Sequence, residues 1–296
     1  MLTTFSQLVT FILLAASNNP ASRPADEVLP NAFFAMDTAT KDAEHVSIAD
    51  QVRLVKELGF DGYGPAYTPD LPALLKTVDE AGVPLSALYV ALTFDAAGPK
   101  FDPSLARNIE LLRGRPTIIW LVVRSEKRVP ASAEADRAAI EAIREVAELA
   151  QPVGIRVAIY PHTGDYIAST PQALAIVKAA DRPNVGLSFN LCHWLKVDGY
   201  GDLRPLLDQM MPHLFVISIN GADRKDPDFK DWSRYIQPLG EGDFDVYGLM
   251  KELRSRGYGG PVGLQGYGLK GSARSHLEKA VRTWKSYRER LTPTAR

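Results

Sequence analysis

A chain of 296 residues that is 46% hydrophobic and 23% charged has enough apolar material for a large core. Its 34 Lys and Arg stand against 35 Asp and Glu, so net charge points neither to nucleic acid nor to an anionic membrane, and no basic run supports either. The single cysteine, Cys192, excludes an intrachain disulfide, leaving the fold to stand on its core.

In chain order, Leu8-Val-Thr-Phe-Ile-Leu-Leu-Ala-Ala16 comes first, an apolar run of signal-peptide length that is too short to span a bilayer. Ala15-Ala-Ser17 offers small residues for cleavage. The run predicts a signal peptide over residues 1–17, then a polar linker over 18–30, and hence a periplasmic or secreted protein. Met1–Gln7 carries no Lys or Arg, so a frayed apolar helix on a cytoplasmic protein is the alternative.

From Asn31 onward, short β-rich runs alternate with amphipathic helical patterns. The runs predict strands over 32–36, 62–64, 85–92, 117–123, 156–160, 186–190, 214–220 and 261–265. Helices are predicted over 48–58, 71–81, 105–112, 133–150, 171–180, 203–211, 247–256 and 273–290. Ile48, Val52, Val55 and Leu58 have helical spacing that Gly59 stops, and Ser169-Thr170 before Pro171 is a capped helix start. Eight strand–helix units imply a parallel sheet, and that number favours a single α/β domain, a (β/α)8 barrel over 31–290 with a tail at 291–296, over an open doubly wound sheet. No Gly-x-Gly-x-x-Gly follows the first strand, which speaks against dinucleotide binding.

In such a barrel, function belongs at the C-terminal ends of the strands. Four apolar runs there close on polar residues: Val157-Ala-Ile-Tyr-Pro-His162, Val185-Gly-Leu-Ser-Phe-Asn-Leu-Cys-His193, Val216-Ile-Ser-Ile-Asn220 and Val262-Gly-Leu-Gln265. These tips are almost entirely neutral. Tyr160, Asn190, Ser218, Asn220 and Gln265 supply donors and acceptors suited to a hydroxyl-rich ligand, and Trp194, Tyr267, Tyr166 and Trp232 offer ring faces. Bracing of loop backbone and ordinary packing are the competing roles.

Asn190-Leu-Cys-His193, with Pro183-Asn-Val-Gly186 leading in, resembles the xylose isomerase-like TIM-barrel superfamily of sugar phosphate isomerases and epimerases. So do Gln51-Val-Arg-Leu-Val-Lys-Glu-Leu-Gly-Phe-Asp-Gly62 and Glu80-Ala-Gly-Val-Pro-Leu85. The resemblance implies a pocket at the strand tips and proton transfer on a sugar or sugar derivative. It also implies a divalent metal held by two Glu, an Asp and a His. Those four positions fall on Tyr160, Asn190, Ser218 and Gln265, so every ligand is replaced. No metal is then expected in the family's usual position, although His162 and His193 with the two amides would sketch a weak neutral site.

The same resemblance makes His193 a substrate contact. An ordinary imidazole pKa near ~6.5 would suit it to acid/base work. His162 stands close enough in sequence to pair with it, and Lys196 would serve as a charged hydroxyl contact or base. Arg224 matches the place of a substrate-binding arginine. Asp165, Asp223 and Asp37 are the available carboxylates, with Asp165 or Asp223 a partner for His193. Alternation along a strand would turn Cys192 outward and His193 inward. Two readings stand: a carbohydrate isomerase, epimerase or keto-sugar lyase, and a non-catalytic carbohydrate-binding barrel. A nucleic-acid partner and a stable membrane span are not expected, and a homo-oligomer is left open.

Overall fold

The strand Ile118–Arg124 (β4) reads Ile-Ile-Trp-Leu-Val-Val-Arg, and all but its last residue are buried. A β-branched run buried on both faces belongs in a parallel sheet covered by helices. The computed structural model describes residues 31–199, 201–224, 226 and 231–291, and places β4 in such a sheet. The predicted signal peptide and linker, and the tail beyond Leu291, lie outside the described residues.

The other strands are Phe33–Met36 (β1), Gly62–Gly64 (β2), Ala87–Thr93 (β3), Arg156–Ile159 (β5), Val185–Asn190 (β6), Leu214–Ile219 (β7) and Val262–Leu264 (β8). All pair in parallel in the order β2-β1-β8-β7-β6-β5-β4-β3. Single parallel bridges, Tyr63 with Leu85 and Ala66 with Tyr89, join β2 to the β3 side and close the ring into a (β/α)8 barrel.

Helices follow the strands. Asp37–Thr40 (α1) is one turn, and Ile48–Leu58 (α2) is capped by Ser47 and ended by Gly59 in the left-handed region at φ 77°. Leu71–Ala81 (α3), Leu105–Asn108 (α4), Ala133–Ala150 (α5) and Thr170–Ala180 (α6) continue the ring. Leu191–Val197 (α7), Arg204–Met210 (α8), Val246–Ser255 (α9) and Ala273–Leu291 (α10) complete it. The largest departure from the sequence reading is α7. Leu191-Cys-His193 begins a helix at the end of β6, where a strand tip was expected. A fully buried apolar segment carries no exposed face to distinguish period 2 from period 3.6, so its pattern is ambiguous.

Two cores result. One lies between the sheet and its helices, and the other fills the barrel with Phe34, Met36, Trp120, Tyr160 and Val216 among others. Glycine makes room for the large rings. A Cβ on Gly263 would stand 2.7 Å from Phe34 Cζ and 3.0 Å from Trp120 Cη2. Gly263→Ala is therefore expected to lower stability by about 1–3 kcal/mol through overpacking, read as a lower urea midpoint at unchanged slope.

Candidate functional site

Above the inner core, at the C-terminal ends of the strands, lies a cavity of about 460 Å³. Its floor and walls hold Asp37 after β1, Tyr89 of β3, Tyr160 and His162 after β5, His193 of α7 and Gln265 after β8. Trp232 and Tyr267 close the rim, and Tyr267 is 60% exposed. Of the residues singled out in the sequence, the cavity thus gathers Asp37, Tyr160, His162, His193, Trp232, Gln265 and Tyr267.

The positions where relatives would carry metal ligands form one neutral network. Asn190 Oδ1 accepts from the hydroxyls of Ser188 (2.9 Å) and Ser218 (3.1 Å), while its amide nitrogen donates to Pro161 O at 3.4 Å. Gln265 Oε1 accepts from the Thr38 hydroxyl (2.5 Å) and from the backbone N–H groups of Gly266 and Tyr267 (both 2.9 Å). The Tyr160 hydroxyl lies near the side chains of Gln265 and Ser218. Burial drives its pKa well above the ordinary phenol value, so it remains protonated. Both amide oxygens are occupied by protein donors, and no group of three or more His, Cys, Asp or Glu able to hold a metal exists among the described residues. This donor set does not fit a divalent cation, which would have to compete for neutral oxygens already hydrogen-bonded.

His162 and His193 stand side by side, ring centroids 4.4 Å apart. His193 is 5% exposed, and its Nδ1 accepts the backbone N–H of Thr163 at 3.2 Å, with the Thr163 hydroxyl 3.1 Å away. Nδ1 is therefore unprotonated, and the neutral ring carries its hydrogen on Nε2. Burial and then the neighbouring His162 depress the His193 pKa from 6.5 to about 3. This corrects the expectation that it titrates near neutrality. Asp165 and Asp223 are not its partners either. Asp223 is held by Arg234 at 2.6 Å and by the Asp243 N–H at 3.2 Å.

Asp165 belongs to His162. Its Oδ2 lies 3.0 Å from His162 Nδ1, close but not aligned as a hydrogen bond, so the carboxylate acts on the ring chiefly as a charge. Arg124 Nε stands 3.4 Å from the same carboxylate. His162 Nδ1 is buried while its side chain as a whole is 33% exposed and lines the cavity. Arg124 Nη2 also donates to the Tyr89 hydroxyl at 3.5 Å, leaving the Tyr89 proton available to a ligand. Burial raises the Tyr89 pKa, so that proton is retained.

The remaining sequence candidates lie off the cavity wall. Asn190 sits in the network beneath it. Asn220 is fully buried and donates to Gly221 O and Tyr235 O (both 2.7 Å), bracing the loop after β7. Arg224 is exposed and bound to Asp243 through its N–H at 2.6 Å. Trp194 packs 6.0 Å from Phe189 and 6.2 Å from Phe244. Lys196 Nζ lies 4.9 Å from the Tyr235 ring centre and 5.8 Å from that of Trp232, so it steadies the rim tryptophan, whose ring is 5.3 Å from His193. Cys192 is buried in the outer core and its pKa is pushed up to about 12, which leaves it an inert thiol. Its separation from His193 comes from the helical turn of α7, where neighbours diverge by about 100°.

Sequence reasoning passed over Thr38, Tyr89 and Thr163 as cavity residues. Tyr89 had a signal, because Ala87 and Tyr89 alternate inward on β3. Thr163 had none beyond its place after His162.

A family model described as Xylose isomerase-like TIM barrel matches residues 52–287. A 3-dehydroshikimate dehydratase of Pseudomonas aeruginosa is 30% identical over 125 residues, 42% of this chain but only 19% of that protein's length. Among solved structures, an IolI protein with a bound zinc superimposes with a TM-score of 0.71 at 18% identity, covering 89% of this chain and all of the other. A 3-keto-D-glucoside 4-epimerase of E. coli gives 0.66 at 17% identity, covering 86% of this chain and 99% of its own. At those identities the likeness is one of fold.

Proposed function

Because the chain belongs to the xylose isomerase-like TIM-barrel family, yet fills the family's metal position with neutral groups, we propose an enzyme that moves a proton next to the carbonyl of a sugar-like substrate without a metal there. The observation that carries this reading is the buried Nδ1 edge of His162 facing Asp165, itself next to Arg124, on the wall of a closed-bottomed cavity. A histidine oriented this way takes a proton from the carbon next to a carbonyl; returning it to the neighbouring carbon, as the enediol proton shifts between the oxygens, yields an isomer, and protonation of the same carbon on the opposite face by a second donor yields an epimer. If the proton loss is followed by departure of a hydroxyl, the same step gives a dehydration, the reaction named in the P. aeruginosa relative.

The enolate oxygen that forms needs a donor. Tyr89 supplies a neutral O–H backed by Arg124, and His193 adds an Nε2–H. Such donors replace part of the several kcal/mol that a Lewis acid contributes. A second reading, carbohydrate binding without turnover, draws support from the hydrogen-bonded amide oxygens of Asn190 and Gln265, which suit a rigid pocket.

Incubating keto-sugars and 3-dehydroshikimate with the protein in D₂O separates the two. Deuterium uptake next to the carbonyl, unchanged by EDTA dialysis, is the expected result, together with a melting temperature that the chelator does not shift. Tight binding with no exchange across the panel would favour the binding protein. Exchange abolished by EDTA and restored by Mn²⁺ or Zn²⁺ would overturn the metal-free reading.

A further inference from the structure

Asp37 is the only Asp, Glu, Lys or Arg among the described residues that line the cavity. It sits where β1 ends and α1 begins, and its Oδ2 accepts the backbone N–H of Ala66 at 2.9 Å. Burial raises its pKa, while hydrogen bonds from the backbone N–H groups of Ala66 and Thr38, and then the charge of the exposed Lys41, pull it down. Arg124, which reaches the Tyr89 hydroxyl, is itself paired with Asp165. Beside His162, the rest of the wall presents phenols at Tyr89 and Tyr160, a threonine hydroxyl at Thr38, an uncharged His193 and the Gln265 amide.

An anion entering a partly enclosed site must find a cationic partner or a set of convergent donors to offset its desolvation. Here it would meet a carboxylate instead, and like charges at short range in a poorly solvated cavity repel strongly. A neutral hydroxyl meets the opposite situation. An ionised carboxylate held by the backbone N–H groups of Ala66 and Thr38 keeps further lone pairs, and a hydroxyl donating to one of them makes a charge-assisted hydrogen bond. Building on the carbohydrate reading above, we propose that Asp37 makes the cavity favour uncharged, hydroxyl-rich ligands over their phosphorylated counterparts.

The test is calorimetric titration of the full chain and of Asp37→Asn with D-fructose, D-psicose, D-tagatose and the 6-phosphate of each. Asparagine keeps an oxygen for the Ala66 N–H and removes only the charge, and a matching circular dichroism spectrum and melting curve confirm its fold. The unchanged protein is expected to bind at least one free sugar roughly tenfold or more tightly than its phosphate. Asp37→Asn is expected to close that gap by about tenfold, weakening the sugar and strengthening the ester. Equal or tighter binding of the phosphate by the unchanged protein, or an unaltered ratio in Asp37→Asn, overturns the role of Asp37 while leaving the carbohydrate reading intact. Silence across the whole panel, free sugars and esters alike, overturns the carbohydrate reading and this inference with it.

Discussion

His162→Asn is expected to lower the rate of deuterium exchange on a bound keto-sugar by about 10²–10⁴-fold, the usual contribution of a general acid or base. That is a loss of about 3–5 kcal/mol of transition-state stabilisation. The expectation rests on position. His162 is the imidazole that lies 3.0 Å from a carboxylate and keeps an exposed edge on the cavity side, whereas His193 has its Nδ1 committed to Thr163. Ligand affinity in the same variant should change only a few-fold, because the hydroxyl-binding groups Tyr89, Tyr160 and Gln265 are untouched. Asp165→Asn removes the charge that steadies the ring while leaving the ring in place, so its loss should be smaller and concentrated in kcat. An exchange rate that survives His162→Asn would place the proton carrier elsewhere on the wall.

The fold was legible because strand burial and helix periodicity are properties of local sequence. Apolar runs such as those ending at Tyr160 and Asn190 can only be covered on both faces, and their regular spacing sets the number of barrel units. The place of the cavity at the strand ends followed from the barrel rule, and the neutrality of the tips could be read directly from Tyr160, Asn190, Ser218 and Gln265.

What each tip side chain faces was not legible. Asn190 and Asn220 both follow strand runs, and both bond to protein groups: Asn190 to two serines, one of them 28 residues away, and Asn220 to the carbonyl of a residue 15 further on. Such pairings are set by the closure of the ring, which no local pattern encodes. Trp194 and Lys196 missed the cavity for a simpler reason. The helix α7 rotates each residue by about 100°, so His193 faces the cavity, Trp194 the core and Lys196 the rings of Trp232 and Tyr235.

The same burial that takes His193 out of proton transfer makes it the main acid-sensitive group of the barrel mouth. Its folded pKa of about 3 lies below the ordinary value of 6.5, because the neutral ring is favoured by burial and by the neighbouring His162. The unfolded chain therefore binds a proton at His193 in a pH range where the folded chain does not. Its contribution to stability is fully present above about pH 6.5 and is lost as pH falls toward 3, at up to about 1.4 kcal/mol per pH unit. Asp42, held low at about 2 by hydrogen bonds from Ala273, Glu44 and His45, gives up its contribution only below the ordinary carboxylate value of 3.8. His213 is also depressed by burial and Lys178, but it is far less enclosed. Urea unfolding of the unchanged protein between pH 7 and 4.5 is thus expected to lose roughly 2–3 kcal/mol. His193→Asn, whose side-chain oxygen takes over the Thr163 N–H, should be much flatter across the same window. Parallel curves for the two proteins would mean that His193 remains free to protonate in the folded state, and would return it to the list of acid/base groups beside His162.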